Sequence, residues 1–193
     1  MTERKPRLTR ALLLKNASDL FRTKGYHRTS IQDIADACQL TKASIYHHIS
    51  SKESLALDLI RELREHYQTN IFPISCDPTL SRPQRLKHYL QRLADYYQEE
   101  GQSCMLKKFL GELTPADGSL WEEVKAFADD SINAIINVLP EEPKEEIRAQ
   151  AIRIFTLIQG YLLLNKVWPA ENTLEAINRF CQKFYYSAEV DPS

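Results

Sequence analysis

The 193-residue chain is 43% hydrophobic and 26% charged, with a net charge of −1, values ordinary for a globular protein and unlike those of a disordered tail. Its basic start, MTERKPRLTR, is not followed by an apolar core with a small-residue cleavage site, so the sequence predicts a protein that stays in the cytoplasm. Four cysteines, Cys38, Cys76, Cys104 and Cys181, lie far apart with no C-x-x-C spacing, which argues against a zinc knuckle or a disulfide framework and predicts free thiols.

Only five glycines occur, and no run alternates apolar with polar β-branched residues, so the periodicity is helical throughout. Leu13, Leu14, Ala17, Leu20 and Phe21 form a first stripe, closed at Lys24-Gly25 where glycine can turn left-handed. Ile31, Ile34, Ala35 and Cys38 form a second, with Ser30 and Asp33 at capping-box spacing. Residues 39–41 read as a turn, Thr41 as the cap of a third helix through His48, and Ser50 with Glu53 as a capping box for a fourth reaching about Phe72.

Pro73, Pro78 and Pro83 interrupt the pattern and divide a first region, 1–52 linked by helix 53–72, from a second, 73–193. Leu86, Leu90, Leu93 and Tyr97 mark a fifth helix; Leu106, Phe109, Leu110 and Leu113 a sixth; Trp121, Val124, Ala128, Ile132, Ile135 and Leu139 a seventh. After Pro140 and Pro143 an eighth runs through 144–167, and a ninth, near 173–187, carries Leu174, Ile177, Cys181 and Phe184. The eighth is apolar around much of its circumference, so it either forms the core of the monomer or meets a partner chain. Its most apolar part, IFTLIQGYLLL, is shorter than the roughly 20 residues of a membrane span, and no membrane association is expected.

The stretch LTKASIYHHISSKESL, residues 40–55, concentrates hydroxyls, lysines, a tyrosine and two histidines. His47 and His48 are neighbours, about 100° apart on a helix, and cannot share one metal ion as residues three or four apart can. Ser44 and His48 are four apart, but no carboxylate is placed to orient the imidazole, so a nucleophilic site is not indicated. Two short helices joined by a three-residue turn match a helix-turn-helix, whose second helix enters the major groove by its amino-terminal end. Lys42, Ala43 and Ser44 would lie at that end, with Tyr46, His47 and Lys52 within reach of phosphates and Ser30 and Gln32 opening the preceding helix. Ile45 and Ile49 would hold the helix against Phe21, Ile31 and Ile34. An ordinary surface helix with incidental hydroxyls fits the same pattern. Charge is uneven along the chain: residues 1–60 hold 10 lysines and arginines against 6 acids, a net +4, and the rest hold 15 against 20, a net −5, so the first part could meet a polyanion that the second would repel.

The segment LLKNASDLFRTKGYHRTSIQDIADACQLTKASIYHHISSKESLALDL, residues 13–59, resembles the DNA-binding domain of tetracycline-repressor (TetR) family regulators. The LF-x-x-x-GY step, the TS-I-x-DIA helix, the LTK-x-S-x-YHH helix and the following SKE coincide in register. The resemblance implies an all-α fold of about nine helices, with a helix-turn-helix domain and a helical ligand-binding domain that dimerises through its last two helices. It implies that Ser30, Gln32, Thr41, Lys42, Ala43, Ser44, Tyr46, His47 and Lys52 face a double-stranded operator, and that a small molecule or electrophile controls binding. Candidates for its pocket are Tyr89, Tyr96, Tyr97, Cys104, Phe109, Trp121, Phe127, Phe155, Gln159 and Tyr161, although aromatic residues at helical spacing also build cores. QSCMLKKFLGEL, residues 102–113, is similar to a stretch in repressors of this kind that respond to electrophiles, and implies a reactive Cys104 beside Lys107 and Lys108.

Three positions depart from the family pattern. Gln39 stands where a turn glycine is usual and is expected to adopt φ > 0; Ala43 replaces a frequent glycine and Ile49 a frequent phenylalanine. No P-loop, Rossmann fingerprint or H-E-x-x-H motif points to an enzyme, and no cofactor or metal is expected. The competing readings are a helical carrier or enzyme with a vestigial helix-turn-helix, and a non-specific DNA binder.

Overall fold

A computed structural model describes residues 9–99, 105–140 and 143–164. Among these residues the chain forms eight α-helices and two 3-10 helices, and no strand. The α-helices are α1 (Arg10–Thr23), α2 (Ile31–Ala37), α3 (Lys42–Tyr46), α4 (Lys52–Asn70), α5 (Arg82–Glu99), α6 (Met105–Leu110), α7 (Gly118–Val138) and α8 (Lys144–Leu164). The 3-10 turns are Phe72–Cys76 and Pro115–Asp117. None of the described helices is long and apolar enough to cross a membrane. The expected ninth helix near 173–187, and residues 165–167 of the eighth, lie outside the described residues.

Several boundaries differ from the sequence expectation for local reasons. α3 stops at Tyr46 because the His47 and His48 amides turn to the carbonyls three residues back, those of Ser44 and Ile45, tightening the last turn. α4 is capped by Ser51 rather than Ser50: the Ser51 hydroxyl accepts from the Ser54 amide at 3.0 Å and the Ser54 hydroxyl accepts from the Ser51 amide at 3.1 Å. Glu53 instead accepts from the Ser119 hydroxyl at 2.9 Å. Pro73 lies within a 3-10 turn, not a loop. α6 ends at Leu110, and the Thr114-x-x-Asp117 capping box opens the short turn that leads into α7.

The chain divides into two compact units, and the division does not follow the proline-rich boundary. The first comprises Met1–Leu63 together with Met105–Lys125, the second Arg64–Cys104 together with Ala126–Ser193. Hydrophobic burial explains why 105–125 joins the first. Phe109 is fully buried, with its ring 5.9 Å from Phe21 and 6.0 Å from Tyr26, both edge-on, a geometry the aromatic quadrupole favours. Ser119–Glu53 and an Arg61–Glu123 ion pair at 3.3 Å add polar ties within this unit.

The second unit is organised around Tyr67. Its ring lies 4.9 Å from Phe127, 5.3 Å from Tyr96 and 5.6 Å from Phe72, and its hydroxyl donates to that of Tyr97 at 3.0 Å. At the same helical face of α4, Arg64 and Gln68 both reach Asp130, at 2.7 and 2.9 Å.

Candidate nucleic-acid interface

The first unit presents α2 and α3 on a scaffold set by α1. Thr9 caps α1 by accepting from the Leu12 amide, and Leu13, Ala17 and Phe21 supply the buried face. The chain leaves α1 at Gly25, whose φ is +91°. Thr29, 1% exposed, ties the turn together by donating to the Gly25 carbonyl at 2.6 Å.

Ser30 and Asp33 form the expected capping box of α2, the hydroxyl accepting from the Asp33 amide at 3.1 Å and the carboxylate accepting from the Ser30 amide at 2.8 Å. Lys24 also meets Asp33, at 2.6 Å. Its ammonium first, and then the Ser30 hydroxyl and amide, hold the Asp33 carboxyl well below the usual carboxylate range. α2 ends in a left-handed residue as expected: Gln39 has φ +56°, and the Leu40 amide reaches back to the Ala35 carbonyl at 2.9 Å, the six-to-one bond of a Schellman motif. Asn16 on α1 donates to the Ala37 carbonyl at 3.2 Å and reaches the Cys38 sulfur at 3.4 Å, fixing this turn from behind.

α3 begins with Thr41, which accepts from the Ser44 amide at 3.2 Å, the two hydroxyls being 2.9 Å apart. Ile45 is fully buried and Ile49 nearly so, so the opposite face of this short helix is turned outward. There Thr41, Lys42, Ala43, Tyr46, His47 and His48 are exposed, and Ser44 is half-buried. Tyr46, 49% exposed, is a large aromatic side chain left largely uncovered. On α2, Ser30 and Gln32 are exposed, Gln32 donating to Asp36 at 2.7 Å.

Lys52 behaves differently from the rest of the set. It is half-buried, donates to the Tyr26 carbonyl at 2.9 Å and lies 4.2 Å over the Tyr26 ring, a cation–π contact. Burial lowers its pKa, against the pull of Asp117 and Glu112. Burial, followed by Glu53 and Asp117, pushes the Tyr26 phenol up. The sequence reading missed Asn16, Glu112 and Asp117 as parts of this scaffold, because each acts on residues more than 20 positions away, beyond the reach of any local signal.

The expected pocket residues fall in several places. Tyr89, Tyr97 and Phe127 are buried in the second unit, with Tyr96 half-buried beside Tyr67. Burial pushes the Tyr89 phenol above its ordinary range. Phe155, Gln159 and Tyr161 are half-buried on α8, and the Gln159 side-chain oxygen is buried with no hydrogen-bond donor among the described residues. Phe109 and half-buried Trp121 belong to the first unit, and Cys104 lies outside the described residues. A cleft of about 310 Å³ in the second unit, lined by Gln68, Phe72, Cys76, Asp130, Asn133 and Asn137 among others, includes none of them. Among the described residues no group of histidine, cysteine and acidic side chains could hold a metal ion.

The sequence model of the family described as bacterial regulatory proteins, tetR family, matches residues 13–59, the stretch that builds α1 to α3 and opens α4. The HTH-type transcriptional repressor DhaR of Mycobacterium sp. (strain GP1) is 28% identical over 103 residues, covering 53% of this chain and 51% of that protein, so the chain matches about half the length of this relative. The HTH-type transcriptional regulator TcmR of Streptomyces glaucescens is 25% identical over 196 residues, covering 99% of this chain and 79% of the relative. A solved TetR transcriptional regulator from Legionella pneumophila superposes with a TM-score of 0.77 at 25% identity, covering 93% of this chain and 98% of that one. The helix-turn-helix and the comparisons thus agree: residues 13–59 match the tetR family of bacterial regulatory proteins, and the likeness to regulators of that kind extends along nearly the whole chain.

Proposed function

We propose that the chain is a cytoplasmic transcriptional repressor that binds a pseudo-palindromic operator as a homodimer and leaves it when an effector occupies, or a thiol reagent modifies, the second unit. The observation that carries the reading is the outward face of α3. Ile45 and Ile49 anchor the helix, while Lys42, Ala43, Tyr46 and His47 are left uncovered in the region of the chain whose net charge is +4. In this reading Lys42 and the hydroxyls of Thr41 and Tyr46 meet phosphates, Ala43 and Ser44 meet base edges, and Ser30 and Gln32 hold the adjoining backbone. Repression is supported by the name of DhaR, a transcriptional repressor.

Dimerisation is assigned to the helices near 144–167 and 173–187. Ile152, Leu163 and Leu164 on α8, 43%, 58% and 49% exposed, support this, because apolar side chains at this exposure gain from a covering partner. Tyr89, Tyr96, Tyr97 and Phe127, with Phe155, Gln159 and Tyr161 of α8, are the effector-contact candidates in the second unit, and Cys104 is the candidate thiol.

Selection of tight-binding duplexes from a random pool, followed by a salt titration, tests the reading. The expected product is a two-fold-symmetric sequence whose half-site centres are about one helical turn or a multiple of it apart, bound with an affinity that falls steeply with salt as counterions are released. A carrier or enzyme with a vestigial helix-turn-helix would enrich no duplex, and a non-specific binder would show the salt slope without sequence enrichment.

A further inference from the structure

Gly25 ends α1 in a backbone region that side chains rarely adopt, but conformation is only part of what keeps this position bare. A Cβ added at Gly25 would overlap the Glu112 carboxylate, lying 2.6 Å from its Cδ, so that carboxylate occupies the space the missing side chain leaves. From this seat Glu112 Oε2 accepts from the His27 amide at 3.4 Å. The Glu112 carbonyl oxygen lies 3.2 Å from His27 Nε2, and since a carbonyl can only accept, the imidazole donates. Lys108, one helical turn back, holds the carboxylate at 3.1 Å, and the Glu112 side chain is 21% exposed. The contacts Glu112 makes with the first 30 residues fall on Gly25 and His27, in the turn that ends at the Ser30 cap of α2. Thr29 fastens that turn from within, and Glu112 fastens it from 85 residues away.

We propose that Glu112 is a positioning residue for DNA binding: its carboxylate, seated on Gly25 and accepting the His27 amide, holds the α1–α2 turn in the conformation that presents α2 and α3 to the operator. The inference rests on the DNA-binding reading above and extends it, because it gives the segment Met105–Lys125 a direct handle on the helix-turn-helix within the first unit. Withdrawing the carboxylate removes the acceptor of the His27 amide and empties the volume over Gly25, and the turn is then free to relax.

Four variants separate this role from simple support of the fold. Glu112→Ala loses both seat and acceptor, Glu112→Gln keeps shape and acceptor but not charge, Lys108→Ala loses only the ion pair, and Glu112→Asp falls one methylene short of the seat. Affinity for the duplex selected by the wild type is measured for each well below its own Tm, so that unfolding does not contribute, alongside hydrogen exchange of the His27 amide. The expected result for Glu112→Ala is a loss of about 10-fold in affinity, the size of one ordinary hydrogen bond, with faster exchange at His27; Glu112→Gln and Lys108→Ala stay near wild type. Wild-type affinity in Glu112→Ala, or an equal loss in Glu112→Gln, overturns the inference. Should Glu112→Ala fail to fold, Glu112→Asp takes its place against Glu112→Gln, with a loss supporting the role and parity overturning it. A wild type that selects no duplex overturns the DNA-binding reading itself, whereas a wild type that binds and an alanine variant that binds equally overturn this inference alone.

Discussion

Replacing Phe109 with alanine tests whether the segment after residue 105 is structurally part of the helix-turn-helix unit. The ring is fully buried and meets Phe21 and Tyr26 edge-on at 5.9 and 6.0 Å. Truncating such a phenylalanine costs about 3–5 kcal/mol, the sum of lost transfer free energy and the cavity left behind, and the two edge-on contacts, about 0.5–1.5 kcal/mol each, are included in that sum. At roughly 2–4 °C per kcal/mol for a chain of this size, Tm falls by roughly 6–20 °C. Phe109→Leu, which keeps much of the volume but loses both edge-on contacts, should cost less than Phe109→Ala. Thermal and urea unfolding give the magnitude, and amide exchange across Leu13–Phe21 locates it. A loss below about 1 kcal/mol, or unchanged protection in α1, would refute the placement of Phe109 in this core.

Three further outcomes follow from the same geometry. Gln39→Gly relieves the left-handed strain at φ +56° and should stabilise the protein by about 1 kcal/mol in urea unfolding; destabilisation would mean that the Gln39 side chain makes contacts worth more than the strain. Asp33 has a carboxyl pKa lowered from 3.8, so its contribution to stability is present above that value and is lost as pH falls through the lowered one. The Tm gap between wild type and Asp33→Asn should therefore be widest at neutral pH and close in strong acid, and a gap independent of pH would count against the Lys24–Asp33 and Ser30–Asp33 contacts as its source. Lys42→Ala should weaken binding to selected and scrambled duplexes alike and reduce the salt slope by about 1, the signature of a lost phosphate contact; a loss confined to the selected duplex would make Lys42 a base reader instead.

What could be read from the sequence was local. The Ser30–Asp33 box and the positive φ of Gln39 were legible because both depend on residues within a few positions of one another, and the structure has both. The α4 cap was misplaced by one residue because Ser50–Glu53 and Ser51–Ser54 share the same spacing, and what removes Glu53 from the box is Ser119, 66 positions away. Periodicity marked Phe109 as apolar but could not say against what: a stripe gives the face of a helix, not its neighbour. The same limit hid Glu112, whose role depends on the turn at Gly25. Lys52 read as a phosphate contact, and what its spacing could not show is the Tyr26 ring and carbonyl, 26 positions away, that engage its ammonium.

The central claim is that the exposed face of α3 reads a specific DNA sequence. Fluorescence anisotropy on a labelled duplex from the region upstream of the protein's own gene, or on the best duplex from selection, with a scrambled duplex as competitor, tests it most directly when wild type is compared with Tyr46→Ala and Ser44→Ala. The account predicts tight, salt-sensitive wild-type binding that the scrambled competitor does not displace, loss of that preference in Ser44→Ala, and weaker binding with the preference kept in Tyr46→Ala, both with Tm preserved. Equal wild-type affinity for both duplexes, or a Ser44→Ala variant that discriminates as well as the wild type, would contradict it.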